Sequence, residues 1–411
     1  MEQERYELPD GWEWKKLEDI ATTTSGGTPS RSKKEYWNGH IPWIKSGELN
    51  DSFIETNSEF ITDEGLHNSS CNLLPKGSLL MAMYGATAGR LGILAFDAAV
   101  NQAVCCIQNN SEITERDFIK YYLLSKRKQI IQDSFGGAQP NISQKYIRSL
   151  NIPCPNSLPE QRRIADKLDA VLGRIDDAIR LSQDNLVSLD DLFASLLQQA
   201  FDPLEKTSKE TRYELPDGWE WKKLSEICTV ISGTTPKTSV DEYWNGSLNW
   251  VTPAELNDTI ITIFETQRKI TEKAVHECSL RKMPVGTVLL SSRAPIGKVA
   301  IAGSEMYCNQ GFKNLVCSPS IFNKFLFHFL KGKTDYLNSL GKGTTFKEIS
   351  KKIVENIDIP IPPLPEQRRI ADKLDALSGK IALQKRAIEE KLDELNHLKS
   401  SVLDAAFRGR L

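Results

Sequence analysis

At 411 residues the chain is long for one hydrophobic core and comfortable for two domains of about 200. With 40% apolar, 26% charged and 8% aromatic residues, its composition excludes a disordered chain, a collagen-like fibre and a disulfide miniprotein. The 52 basic and 54 acidic residues leave a net charge of −2, too balanced for a free-standing nucleic-acid binder. No apolar run approaches the 18 or so residues of a membrane helix, and the opening MEQERYELPDGW is charged from Glu2, which argues against a signal peptide. Eight cysteines without a CxxC predict reduced thiols, a cytoplasmic location, and neither a zinc site nor a disulfide framework.

An internal duplication dominates the chain. YELPDGWEWKKL, Tyr6 to Leu17, returns unchanged from Tyr213 to Leu224, and LPEQRRIADKLDA, Leu158 to Ala170, returns from Leu364 to Ala376. Between these blocks EYWNG recurs at Glu35 and Glu242, ELND at Glu48 and Glu255, and Asn101-Gln102 falls opposite Asn309-Gln310. Four tryptophans, Trp12, Trp14, Trp37 and Trp43, stand 207 residues before the other four, Trp219, Trp221, Trp244 and Trp250. A repeat this long is two copies of a domain, not a solenoid unit. The frame is fixed and the contents differ.

In chain order, residues 1–155 predict a first mixed α/β globular unit, with the turn SGGTP at Ser25–Pro29, a strand in Gly77–Gly85 and a helix over Glu115–Ile131. Residues 156–200 predict a long central helix and 201–212 a linker. Residues 213–360 repeat the unit, with SGTTP at Ser232–Pro236, a strand in Gly286–Arg293 and a helix over Ile321–Leu337, and 361–411 predict a second long helix.

The long helices carry spacings of four and three. The first seam comprises Ile164, Leu168, Val171, Ile175, Leu189, Leu192 and Leu196; the second comprises Ile370, Leu374, Leu377, Ile381, Leu395, Leu398 and Val402. Pro159 and Pro365 sit where a first-turn proline is tolerated. About 40 residues at 1.5 Å each make a rod of roughly 60 Å. Two matching helices of this length predict that they pair with each other, antiparallel about an internal pseudo-two-fold axis. The fold class is therefore α+β: two tandem globular units separated by two long helices packed as an antiparallel coiled coil.

No catalytic constellation survives inspection. Pro9-Asp10-Gly11-Trp12-Glu13-Trp14-Lys15 spells a nuclease-like PD-x2-ExK, repeated from Pro216, but two intervening residues leave no room for a hairpin between the carboxylates. A turn followed by a short tryptophan-anchored strand is the plainer reading. The five histidines share no ligand spacing, so no metal site is expected, and no phosphate loop or methyltransferase signature is present. Residues 1–155 carry −3 and 213–360 carry +2, so any nucleic-acid surface must be a local patch. Candidate contacts are Arg31, Lys33 and Lys34, with Lys237 in the matching loop, the aligned pair Arg90 and Lys298, Arg293, and the cluster Lys347, Lys351 and Lys352. For each of them a solvated surface side chain is the plainer alternative.

Together LPDGWEWKKLEDI, SGGTP, EYWNG, WIKSGELND, NQA, PLPEQRRIADKLDA and the closing AAFRGRL resemble the specificity subunit of a Type I restriction–modification enzyme, over the whole chain and twice. The resemblance implies two target recognition domains, each reading one half of a bipartite site on double-stranded DNA, with the helices fixing the spacing. It further implies a subunit without chemistry or cofactor of its own. Its partners would be two adenine-N6 methyltransferase subunits, which use S-adenosylmethionine, and restriction subunits. An autonomous duplicated nuclease and a coiled-coil adaptor are the rivals from other classes.

Overall fold

The computed structural model describes residues 6–134, 141–201, 215–257, 261–293, 295–342 and 347–411. Apart from Phe201, the expected linker at 201–212 lies outside the described residues. The chain forms two compact units, Met1–Ser182 with Lys391–Leu411, and Gln183–Glu390. Each helix thus starts in one unit and ends in the other.

The units share one element order. In unit 1, Trp12–Lys16 pairs antiparallel with Asn151–Pro155, joining the repeated opening motif to the entrance of the long helix. The tempting carboxylates resolve here into a turn and a strand, with Glu13 bonded to Asn156. A five-stranded mixed sheet runs Ala21–Ser25, Val104–Asn109, Leu79–Ala82, Leu91–Leu94, Phe53–Ile54 in spatial order. A three-stranded sheet sets Trp37–Ile44 between Glu59–Ile61 and Ala99–Val100. Unit 2 repeats all three sheets in the same order, from Glu220–Lys223 to Asp358–Ile361. The positions after Trp37 and Trp244 bulge, with Asn38 and Asn245 in the left-handed region at φ 61° and 59°, a conformation asparagine tolerates.

The long helices span Leu158–Phe201 and Leu364–Phe407, 44 residues each. They pair antiparallel: in unit 1 Asp176 meets Lys399 at 2.6 Å, and in unit 2 Asp190 meets Lys385. The end of each helix inserts a phenylalanine into the core of the unit it enters. Phe407 packs on Phe118 and Tyr122 in unit 1, and Phe201 packs on Phe325 and Phe329 in unit 2.

Two expectations need correction. Leu192 and Leu398 do not lie in the seam; they are 50% and 49% exposed. The buried line shifts by one residue to Phe193 and Leu197 on the first helix, because Leu197 and Phe201 must enter the core beneath Phe325 and Phe329. On the second, Lys399 takes the inward position next to Leu395 and Val402, its stem half buried and its ammonium on Asp176. The helix expected over Ile321–Leu337 breaks into Asn323–Gly332 and Thr334–Ser339. The break follows Gly332, where a side chain would press on Leu197 of the long helix. Its unit 1 counterpart is continuous, Arg116–Gln132.

Candidate functional site

In each unit the motifs shared by the copies converge on one loop. Ser25-Gly26-Gly27-Thr28-Pro29 leaves the edge strand of the five-stranded sheet and crosses to the tryptophan strand. A Cβ at Gly26 would overlap the carbonyl oxygens of Val100 and Asn101, so only glycine permits this approach. Trp43 Nε1 then donates to the Gly27 carbonyl at 3.0 Å, Trp37 Nε1 to Ser30 at 3.1 Å, and the Thr28 hydroxyl to the Gln102 side-chain oxygen. Unit 2 rebuilds every element. Gly233 abuts the Cys308 and Asn309 carbonyls, Trp250 donates to Thr234 at 3.3 Å, Trp244 to Lys237 at 3.2 Å, and Thr235 to Gln310. The indoles stack edge to face, with centroids 5.1 and 5.0 Å apart. A loop pinned at four points by its neighbours presents its remaining side chains with little entropy left to lose.

Those remaining side chains differ. In unit 1 the loop runs Arg31, Ser32, Lys33, Lys34; in unit 2 Thr238, Ser239, Val240, Asp241 occupy those places. The Arg31 guanidinium lies 3.7 Å from the Trp37 ring centroid and bonds Glu59 at 2.5 Å, and Glu59 also takes Lys45 at 2.7 Å. Hydrogen bonds from Arg31 and then Lys45 hold the Glu59 carboxyl below its ordinary range. Lys33 donates to the Tyr36 hydroxyl at 2.7 Å, while Lys34 is exposed with no side-chain partner among the described residues. Lys237 is exposed at the loop's end.

The structure gathers some of the other candidates and scatters the rest. Arg293 and Lys298 line an open depression of about 420 Å³ together with Thr252, Asn309 and Gln310, which ties them to the pinned loop. Arg293 bonds Glu348 through Nε at 2.9 Å, and the same carboxylate takes the buried Lys313 at 3.1 Å. Burial acts to raise the Glu348 pKa, but those two cations outweigh it and lower it. Lys298 and Arg90 occupy the same main-chain position, each accepting from the preceding strand, at Ser291 and Ala82. Their side chains part company: Lys298 donates to the Leu256 carbonyl at 2.9 Å, and Arg90 extends into solvent. Lys347 is exposed beside Glu348, Lys351 pairs with Glu355 at 3.5 Å, and Lys352 lines a separate depression with Lys342. Among the described residues no three His, Cys, Asp or Glu side chains gather closely enough to hold a metal ion, and no helix is long and apolar enough to cross a membrane.

Sequence reasoning missed Arg268. Its guanidinium covers Trp244 at 3.8 Å and Trp250 at 5.2 Å, as Arg31 covers Trp37 and Trp43. No offset of 207 leads to it, since that offset pairs Arg31 with Thr238. It also missed Gln161 and Gln367, buried at the start of each long helix. Gln161 bonds the backbone of Ile113, Pro155 and Glu115, and Gln367 that of Ser320, Pro362 and Phe322. Their presence in the repeated LPEQRR block was the available signal.

A family model described as the Type I restriction modification DNA specificity domain matches residues 9–182 and again 216–394. The chain is 41% identical over 189 residues to the Type I restriction enzyme MjaIX specificity subunit of Methanocaldococcus jannaschii, across 45% of this chain and 44% of that one. It therefore spans less than half the length of that relative. To the putative MjaX specificity subunit of the same organism it is 25% identical over 422 residues, 98% of this chain and 95% of that one. A solved chain from work on complex assembly and conformational transition of the type I R-M system superposes with a TM-score of 0.81 at 25% identity, over 99% of this chain and 100% of that one. The HsdS subunit from Thermoanaerobacter tengcongensis superposes at 0.57, also at 25% identity, over 99% of each chain.

Proposed function

Because the chain belongs to the Type I restriction modification DNA specificity family, we propose that it is the sequence-reading subunit of a Type I restriction–modification complex, each unit reading one half of a bipartite site on double-stranded DNA. The observation that carries this reading is the pinned loop: two copies of one anchoring scheme hold different residues. A protein with two equal tasks has no reason to vary the contents, and one with unrelated tasks has no reason to keep the frame. The long helices set the distance between half-sites and recruit two methyltransferase subunits, whose S-adenosylmethionine chemistry requires the target adenine to be flipped from the stack. Restriction subunits join that assembly. This chain performs no catalysis; it selects which adenine is presented.

Arg293, Lys298 and the exposed Arg31, Lys33, Lys34, Arg90, Lys237, Lys347, Lys351 and Lys352 remain the candidate DNA contacts. Arg293 is the strongest base reader, because its described bond uses Nε and it opens on the same depression as Gln310. Exchange of residues 18–150 for the corresponding stretch of a related chain tests the whole reading. Methylome sequencing of cells expressing the complex should show a new sequence in one half of the modified motif, with the other half and the spacer unchanged. A change in both halves, or in neither, overturns it.

A further inference from the structure

The tryptophan pair carries a guanidinium in both units, yet the two arginines come from non-equivalent positions. Arg31 lies in the pinned loop, ahead of the tryptophan strand. Arg268 lies at the entrance to the partner strand, where Trp250 donates its main-chain N–H to the Arg268 carbonyl at 3.2 Å. The same place in unit 1, opposite Trp43, is held by Glu59. The swap is compensated. Arg31, Lys45 and Glu59 become Thr238, Thr252 and Arg268, and each trio carries one net positive charge. What survives divergence here is neither a residue nor an ion pair but a flat cation on the outer face of two indoles.

A stack at an exposed site contributes little stability, and the edge-to-face indoles are already fixed by their bonds to the loop backbone. Stacking does something else. It blocks one guanidinium face and restricts the side chain's rotamers; Arg31 spends Nη1 on Glu59, and both arginines remain exposed, with in-plane N–H groups of the kind that suit a phosphate. A contact common to two half-sites of different sequence must be to something they share, which is the sugar–phosphate backbone.

We propose that Arg31 and Arg268 are functionally equivalent phosphate clamps, one per half-site, each positioned by the tryptophan pair of its own unit. The proposal rests on the DNA-reading function above. The test uses the full chain in complex with co-expressed methyltransferase subunits, titrated with a long duplex of arbitrary sequence at several salt concentrations, with the thermal midpoint measured alongside. R31A and R268A should each flatten the slope of log affinity against log salt by about 0.9, and the double variant by about 1.8. The exchange R31T/K45T/E59R, which moves the unit 1 cation to the position used by unit 2, should keep the wild-type slope. Lowered midpoints with unchanged slopes would make the arginines mere packing and overturn the proposal. So would an R31T/K45T/E59R variant that behaves like R31A. If the wild-type complex binds no duplex, the DNA-reading function itself falls, a result distinct from both.

Discussion

The LPEQRRIADKLDA blocks are identical, but the domains they lie against are not. At one contact the difference is absorbed by main chain. Gln161 and Gln367 each spend their amides on three backbone groups, with Cys154 Sγ as the one side-chain partner of Gln161, so the anchoring depends little on which side chains the domain carries. Just over two turns further on, the same helix position meets whatever the domain offers. Asp169 accepts from the Tyr121 hydroxyl at 2.6 Å, while Asp375 takes the buried His328 at 2.7 Å and Lys324 at 2.6 Å. One helix start can thus serve two different domains, because this attachment is written mainly in backbone and the side-chain contacts around it are free to change.

The largest expected effects probe which unit each helix end belongs to. F407A should destabilise unit 1 and F201A unit 2, each by about 3–5 kcal/mol as a buried aromatic is lost. Hydrogen exchange resolved by unit reads this directly. Loss in the unit that the helix leaves, rather than the one it enters, would refute the crossed assembly.

Next come the glutamines. Q161L and Q367L strand three buried backbone groups apiece and should cost about 2–3 kcal/mol each, by the same amount in the two units. A clear inequality in denaturant titrations would mean that one domain offers a second anchor.

The smallest effect separates the aspartates. D169N replaces a charged acceptor at the phenol with a neutral one and should cost about 1 kcal/mol; D375N removes the carboxylate that Lys324 and the His328 ring share and should cost about 1–2 kcal/mol. Burial acts to raise the Asp375 pKa, but His328 and Lys324 outweigh it and hold it below the ordinary carboxylate range. A lowered pKa contributes stability above the unfolded value, lost as pH falls through the folded one. Unit 2 should therefore weaken below about pH 4, and D375N should flatten that decline. In unit 1 burial first, and then Asp169, pushes the Tyr121 pKa upward, so that contribution persists below about pH 10 and fades only as pH rises beyond it. Unfolding of both variants followed across pH checks the two limbs.

Much of the architecture is legible in the chain itself, because duplication supplies its own alignment. Helix starts at Leu158 and Leu364, strands within Gly77–Gly85 and Gly286–Arg293, and the closing of the loop by SGGTP or SGTTP and NQ all fall at equivalent places in the two copies. The departures share one physical cause. Leu192 and Leu398 obey the heptad locally, but the burial of Leu197, Phe201 and Phe407 by distant helices moves the seam. Arg268 is invisible for the same reason: its partners are brought to it by strand pairing, and no local spacing records that.

The crossed helix ends also bear on time. Unit 2 is contiguous, Gln183–Glu390, whereas unit 1 is closed by Lys391–Leu411. Phe407 fills the space between Phe118 and Tyr122, its carbonyl receives the Tyr6 hydroxyl, and Arg163 donates to the Leu411 carbonyl at 3.1 Å. The stretch that completes the first unit is thus synthesised after the rest of both units. On the ribosome the domain made second can finish first, while the domain made first waits with its core open. A ribosome that stops before Lys391 yields a chain with every residue of its second unit but without the Leu403, Ala406 and Phe407 that complete the core of its first.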